Sequence, residues 1–367
     1  MQREQQRREK FSRINSSLIL FWLLLLFQKM VRSESFGSTA PKTLTSSPGY
    51  WLVVDFDGTC TARDTTPLLP VLASFLSDDN DSQRDERLAN FKSLEQEYFG
   101  LLQQSKSKLS SLSSSLSSSS SSTDRITLER ALDTLDEASI LVTNKVSSSG
   151  VLKGLDVPAH KLHSLISEQA SVREHVRLLP DCLSVLSSIY RSIAAQKEDN
   201  RKQWKLGVLS INWCPSLIEA TLLQPLEEYF SSTKTTATAM TTTIPIWSNA
   251  VDSNGVVHLN VSGAIAKQTQ IVKLQRQQKV IYVGDSSTDL AALVQADVGI
   301  LIGTSQSTRD MCKQFKIPMI PITDYLQRDD SDENNENDNN NDNGPYKRTV
   351  WTAQNWNEIG IFLATIR

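Results

Sequence analysis

Two carboxylates stand one residue apart in Val53-Val54-Asp55-Phe56-Asp57-Gly58-Thr59, where an apolar run stops and the chain must turn at Gly58. The carboxyl end of a strand is where a ligand can approach an open parallel sheet. Two acids set there make sense if a cation holds them. Asp55 is suited to attack phosphorus and form an aspartyl-phosphate, because a carboxylate is already ionised at neutral pH and needs no base. Asp57 is then suited to protonate the leaving oxygen and later to activate water. Both acids could equally cap the turn that follows, and the pair alone does not choose.

Three further features follow in order along the chain. The run Leu206 to Leu209 ends at Ser210, whose hydroxyl and backbone amide can hold a phosphoryl oxygen. A helix from Lys267 supplies an ammonium that can neutralise charge gathered on phosphate and nucleophile. The run Val280 to Val283 ends in Gly284-Asp285-Ser286-Ser287-Thr288-Asp289, with acids placed to ligate a divalent metal. Nucleophile, charge neutraliser and metal ligands are what phosphoryl transfer requires. Lys273 and Lys279 are nearer to Asp285 in sequence and are the alternatives to Lys267; their other reading is a solvated helix face. Cys60 adjoins the acid pair, but no histidine follows at a position to activate it, so it reads as a buried apolar group.

These residues need strands to carry them. Tyr50 to Val54 is short, apolar and rich in β-formers, the pattern of a strand buried on both faces. Similar runs recur at Lys205 to Leu209, Ile244 to Trp247, Val280 to Val283, Val298 to Ile302 and Met319 to Ile322. Helical patterns lie between most of them, at Pro180 to Ile193, Pro215 to Leu223, Lys267 to Gln277, Ser287 to Gln295 and Ser305 to Phe315. Alternation of this kind predicts right-handed βαβ units: an α/β fold with a Rossmann-like parallel sheet covered by helices on both faces.

The gap between the first and second strands is far longer than an ordinary crossover. Residues 65–177 are therefore expected to form a small α-helical cap, with helices over Phe91 to Leu102 and Leu128 to Val142. Within it the serine tract 105–122 is too poor in apolar surface to pack and is expected to be a disordered insertion. Residues 49–64 and 178–367 then make the core, interrupted by an acidic, Asn-rich stretch at 329–343 that carries seven acids and no base and reads as a solvated loop.

Composition narrows the partners. A formal net charge of -3 over 367 residues gives no broad positive field for nucleic acid, so a small substrate is expected. Four cysteines, Cys60, Cys182, Cys214 and Cys312, stand far apart and signal neither a zinc site nor a disulfide scaffold. At the N-terminus, Arg3, Arg7, Arg8, Lys10 and Arg13 precede the apolar run Leu18 to Phe27. That order reads as a signal, since a membrane span needs about 20 apolar residues. Residues 1–48 are thus expected to be a targeting segment and linker, cleaved after Ser33 or Ser35 and leading to the secretory pathway or an organelle. An uncleaved anchor, with membrane contact confined to this segment, and a mis-assigned start with a cytoplasmic protein are the alternatives. Phe36 to Pro48, rich in Ser and Thr, could be a second targeting element exposed after signal removal, as in import into a complex plastid. In the secretory path Asn80-Asp81-Ser82 and Asn260-Val261-Ser262 would be glycosylation acceptors.

The order Asp-x-Asp-x-Thr, Ser, Lys, Gly-Asp-x-x-x-Asp from Tyr50 to Ile366 resembles the haloacid dehalogenase-like hydrolase superfamily. The resemblance implies Asp55 as nucleophile and Asp57 as acid/base, with the Asp57 main-chain carbonyl touching the metal. It implies Lys267 as the motif lysine, Thr59, Ser210 and Asn212 as substrate-binding residues, and Asp55, Asp57, Asp285 and Asp289 as the set around Mg²⁺. An acid two residues after the nucleophile suits an alkoxide leaving group rather than a halide, which favours a phosphatase. A cap between the first two motifs is similar to phosphoserine phosphatase and to plant and fungal proteins related to thiamine monophosphate phosphatase. Cys60-Thr61, Asp64-Thr65-Thr66 and Ser210-Ile211-Asn212-Trp213 look closest to the latter. The implied activity is Mg-dependent hydrolysis of a small phosphorylated metabolite. Phosphotransfer to another alcohol, or a non-catalytic scaffold that keeps the fold, are the alternatives. Asp64 reads as a helix cap, and Trp213 as a packed core residue or a stacking surface.

Overall fold

The computed structural model describes residues 49–77, 79–114, 121–195, 203–232, 243–325 and 349–366. The expected targeting segment at 1–48 and the acidic loop at 329–343 lie outside them. Among the described residues no helix is long and apolar enough to cross a membrane.

The apolar run Tyr50–Val54 is β1, followed by the helices of the insertion: α1 (Leu69–Leu76), α2 (Asp81–Ser114), α3 (Ser121–Ser149), α4 (Ala159–Glu168) and α5 (Ala170–His175). The chain returns through α6 (Cys182–Ala195) to β2 (Trp204–Leu209) and a continuous helical stretch, α7 (Pro215–Ile218), a π-helical turn (Glu219–Leu223) and α8 (Gln224–Ser232). Then come β3 (Ile246–Trp247), a hairpin of β4 (Ala250–Val251) and β5 (Val257–His258), α9 (Ala264–Gln275), β6 (Lys279–Gly284), α10 (Leu290–Gln295) and β7 (Val298–Ile302). The last elements are α11 (Gln306–Gln314), β8 (Met319–Pro321), α12 (Ile322–Tyr325), β9 (Val350–Ala353) and α13 (Trp356–Thr365).

Seven strands form one sheet in the order β3-β2-β1-β6-β7-β9-β8, and each pairing within it is parallel. Alternate side chains of β1 enter different cores, as the two-residue period of a strand requires. Leu52 and Val54 pack with Leu186 and Ile189 of α6 and Phe362 of α13, whereas Trp51 and Val53 pack with Ile271 and Leu274 of α9 and Leu293 of α10. Helices therefore cover both faces of a Rossmann-like sheet, as expected. The chain runs outward from β1 through β2 to β3 and then continues on the other side from β6, so the order reverses beside β1. Ligands bind outside the carboxyl ends of strands at such a reversal. Val54 is in register with Val208 and Val283, which brings Asp55, Ser210 and Asp285 to one edge of the sheet.

The insertion does not stand apart from the sheet. In α3, Leu128, Leu132 and Leu135 belong to the core beneath Trp51 and Val53, while Val142 and Val146 belong to a third apolar cluster. That cluster joins Leu69 and Leu72 of α1 and Leu162 of α4 to Leu217 of α7 and Val251 and Val257 of the hairpin. The serine tract is described in part. Its first part continues α2 to Ser114, and α3 begins at Ser121; residues 115–120 lie outside the described ones. Serine costs only about half a kcal/mol relative to alanine in a helix, and propagation from a formed helix is cheap once nucleated. Its composition speaks to packing, which is a different quantity from local helicity.

Candidate active site

The chain beyond β1 keeps the sheet's register for one more residue: the Asp55 amide donates to the Val283 carbonyl at 2.9 Å, and the Asp55 side chain is only 4% exposed. It then turns sharply, with the Cys60 amide donating back to the Phe56 carbonyl at 2.9 Å. Gly58 adopts φ +72°, a backbone region that side-chain-bearing residues avoid, and a Cβ there would meet Asp285 Oδ2 at 2.5 Å. Thr59 donates through Oγ1 to Asp285 Oδ1 at 2.9 Å, and its carbonyl accepts from the indole Nε1 of fully buried Trp356 at 2.8 Å. The closing helix α13 thus pins the turn, which ties β1 to the tip of β6. The Cys60 thiol donates to the Asp55 carbonyl at 3.1 Å, and burial pushes it well above the ordinary thiol range, which leaves it a neutral packing group. All four cysteines are buried and free, as expected.

Asp57 is held by residues remote in sequence. Its Oδ1 accepts from the Thr65 amide at 2.8 Å and the Thr65 hydroxyl at 2.6 Å, and its Oδ2 accepts from Asn212 Nδ2 at 2.7 Å. Burial, then the nearby Asp64 charge, raises its pKa to about 6 against the pull of these hydrogen bonds. A carboxyl there is fitted to give and take a proton near neutral pH. Asn212, expected to touch substrate, has its amide nitrogen on Asp57 and Thr65 and its Oδ1 on the Cys214 amide at 2.8 Å. Its side chain is thus engaged with Asp57, Thr65 and the Cys214 amide. Asp64 accepts from the Thr66 amide at 2.8 Å, but the residue at the cap of the short helical turn Thr66–Leu68 is Thr65, and Asp64 also lines a cavity between α2 and α3.

Ser210 is fully buried at the end of β2, but its amide donates to the Trp247 carbonyl at 2.9 Å. The pairing of β2 with β3 extends one residue past Leu209, so the expected amide contribution to phosphate binding is already engaged. Its hydroxyl oxygen accepts from the Asn212 amide at 3.1 Å and keeps its proton for another acceptor.

Of the three candidate lysines, Lys267 is fully buried at this edge, whereas Lys273 and Lys279 are exposed. Its Nζ lies 2.6 Å from Asp289 Oδ1 and 3.0 Å from Asp55 Oδ1. Burial opposes its charge, but the carboxylates of Asp289 and Asp55 outweigh that and hold it above the ordinary lysine range. Asp289 also accepts from the Tyr282 hydroxyl at 2.5 Å on Oδ1, and on Oδ2 from the Ser286 hydroxyl at 2.8 Å and the amides of Ser286 and Asp285 at 3.0 and 3.2 Å. Both its oxygens are therefore committed to the lysine and to the loop after β6. Burial works against its ionisation, but Lys267 and these donors keep it below the ordinary carboxylate range.

Asp55 and Asp285 have the opposite character. Burial drives Asp55 well above the ordinary range, with Lys267 pulling the other way, and burial followed by Asp289 raises Asp285 to about 7. Asp55 Oδ1, although beside the ammonium, has no aligned hydrogen bond among the described residues. Oxygens of Asp55, Asp285 and Asp289 lie within 4.8 Å of one another. Of these, Asp55 and Asp285, hard oxygen donors with raised pKa values, fit Mg²⁺, whose charge would reverse the penalty on their ionisation.

A cavity of about 180 Å³ lies between α2, α3 and the loop after β2; Asp64 and Thr66 of its lining flank Thr65, the residue that holds Asp57. Phe91, Tyr98, Phe99 and Trp213 line the cavity, and its charged lining residues are Asp64 and Glu95. Trp213 also packs against the third cluster, in line with its reading as a packed residue. Sequence reasoning missed Thr65, Tyr282 and Asn249. Asn249 is 1% exposed and clasps two loops: its Oδ1 accepts from the amides of Asn260 and Val261 at 2.8 Å each, and its Nδ2 donates to the carbonyls of Ile211 at 2.8 Å and Val261 at 3.0 Å. Tyr282 carried a faint signal, a hydroxyl in an otherwise aliphatic strand.

No family model matches the chain. It is 24% identical over 325 residues to the "Bifunctional TH2 protein, mitochondrial" of Arabidopsis thaliana, a match covering 84% of this chain and 48% of that protein. The chain thus spans about half the length of the curated relative it matches. Among solved structures, a phospho-aspartyl intermediate analogue of phosphoserine phosphatase is similar at TM-score 0.37 and 12% identity, over 72% of this chain and 91% of that one. Phosphoserine phosphatase from T. onnurineus is similar at TM-score 0.35 and 12% identity, over 89% of this chain and 98% of that one.

Proposed function

We propose that this chain is a Mg²⁺-dependent phosphatase of the haloacid dehalogenase-like type, hydrolysing a small phosphomonoester through an aspartyl-phosphate on Asp55. The observation that carries this reading is the placement of one buried ammonium, Lys267, between Asp55 and Asp289, with a separately held acid, Asp57, two residues past the nucleophile.

An oxygen of Asp55 attacks phosphorus as the bond to the leaving alkoxide breaks, and Asp57 delivers its proton to that oxygen. Asp57, now ionised, takes a proton from water; the resulting hydroxide attacks phosphorus, the Asp55–phosphorus bond breaks, and phosphate leaves. Lys267 neutralises charge on Asp55 and the phosphoryl oxygens throughout, and the Ser210 hydroxyl donates to one of those oxygens. Mg²⁺, held by Asp55, Asp285 and the Asp57 main-chain carbonyl, would supply further neutralisation of the phosphoryl group. Asp289 serves by fixing Lys267 and the loop after β6.

The word "mitochondrial" in the relative's name supports reading residues 1–48 as an organelle-targeting segment; a fluorescent fusion of those residues that stays cytosolic would refute it. The activity is tested by assaying the full chain against a phosphomonoester panel, with thiamine monophosphate and phosphoserine included, with Mg²⁺ and with chelator. Turnover that requires Mg²⁺ and is lost in Asp55→Asn is expected. Chelator-insensitive turnover would contradict the metal role. Phosphate appearing on an added alcohol would point to a transferase, and a folded but inert chain to a scaffold.

A further inference from the structure

The first amides of a helix have no acceptor within it. In α9, the helix of Lys267, two of them are taken by one carboxylate from far away: Ala264 N donates to Asp136 Oδ1 at 3.0 Å and Ile265 N to Asp136 Oδ2 at 3.2 Å. Asp136 lies in the middle of α3, within the insertion, and is 5% exposed. Its approach depends on Gly263, where a Cβ would meet Oδ1 at 2.0 Å. A buried anion at a helix N-terminus also suits the helix dipole. Further along, Gln268 Nε2 donates to Glu129 Oε1 at 3.0 Å, so α3 and α9 are tied twice. One to two turns beyond Asp136 on α3, Ser139, Val142 and Thr143 line the cavity between α2 and α3.

We propose that Asp136 is a positioning residue for Lys267: by capping α9 from the insertion, it fixes the register in which the lysine reaches Asp55 and Asp289, and so joins the cavity-lining helix to the charge neutraliser. This rests on the phosphatase reading for its effect on turnover, but the placement itself is a separate matter. Lys267 must meet two carboxylate oxygens within 3.0 Å, and a helix free to slide or fray at its first turn would relax that fit. Small misplacements of a catalytic group are costly in rate.

The test compares full-chain wild type with Asp136→Ala, Asp136→Asn, Gly263→Ala and Glu129→Ala. Hydrogen exchange over Ala264–Gln275 and the ¹⁵N resonance of the Lys267 ammonium are read beside kcat and KM. Asp136→Ala and Gly263→Ala should expose the first-turn amides, shift the ammonium resonance and lower kcat roughly tenfold to a hundredfold, as when an orienting partner is lost, with KM within about threefold. Asp136→Asn, which keeps one acceptor, should recover part of kcat. Glu129→Ala should weaken stability and leave kcat near wild type. An unchanged kcat in Asp136→Ala with the amides exposed would overturn the proposal, as would equal kcat losses in Asp136→Ala and Glu129→Ala. If wild type turns over no ester, the phosphatase reading fails, and the resonance decides: a shift with amide exposure in Asp136→Ala upholds the positioning role, and an unchanged resonance overturns it.

Discussion

Asn212 Nδ2 donates to Asp57 Oδ2 at 2.7 Å across 155 residues of sequence, joining the tip of β2 to the turn after β1. The contact fixes which way the acid faces, because Thr65 already holds the other oxygen. Asn212→Ala should therefore lower kcat about tenfold, a part of what a positioned general acid contributes, with a smaller change in KM. A kcat unchanged in steady-state assays would show that Asp57 is oriented without it.

The pH dependence should follow Asp57. Its pKa of about 6 means that the proton needed by the leaving alkoxide is lost as pH rises through that value. The phosphorylation step, read by rapid quench, should slow above about pH 6. Asp64→Asn removes a charge that raises the Asp57 pKa, so the decline should begin lower, by about half a pH unit for one screened surface charge. A shift in the other direction would refute the assignment.

Metal-free stability carries a second sign. Asp57 and Asp285 ordinarily titrate at 3.8, and the fold raises them to about 6 and about 7, so between those values the folded chain binds more protons than the unfolded one. Stability should fall as pH rises from about 4 to 7, and the raised pKa of Asp55 acts in the same direction. Mg²⁺ binds the ionised acids, so its increase in Tm should be larger at pH 8 than at pH 5. Asp285→Asn should raise the metal-free Tm by a few degrees and remove most of the Mg²⁺ effect. Calorimetry that finds a flat profile, or a Mg²⁺ shift independent of pH, would contradict this.

Asn249→Ala leaves two buried amides and two carbonyls without their side-chain partner. Each unmade buried hydrogen bond costs about 1–3 kcal/mol, so the loss should exceed about 3 kcal/mol by denaturant unfolding. A loss under about 1 kcal/mol would mean that water replaces the side chain there.

Asp55, Ser210, Lys267 and Asp285 were legible because each ends or flanks an apolar run, and a parallel sheet must bring strand ends together. Helices on both faces followed from β1 being apolar at every position. Asn249 and Asp136 left no local trace: each acts through hydrogen bonds to groups that only the folded chain brings near. Thr65 stood in the motif Asp64-Thr65-Thr66, but its hold on Asp57 shows only in the fold. Asn212 was singled out, but its contact with Asp57 was not legible, since it depends on where Asp57 points. The Ser210 amide failed as a phosphate donor because β3 pairs one residue further than the apolar run suggests. The helical serine tract shows that poor packing capacity does not preclude helix when long helices flank it.

The most direct test is to locate the phosphoryl group during turnover. The full chain, mixed with a turned-over phosphomonoester and Mg²⁺ and quenched in acid, should yield by mass spectrometry a peptide phosphorylated on Asp55, absent from Asp55→Asn. Phosphate on any other residue, or turnover with no phosphorylated peptide and no burst, would contradict nucleophilic attack by Asp55.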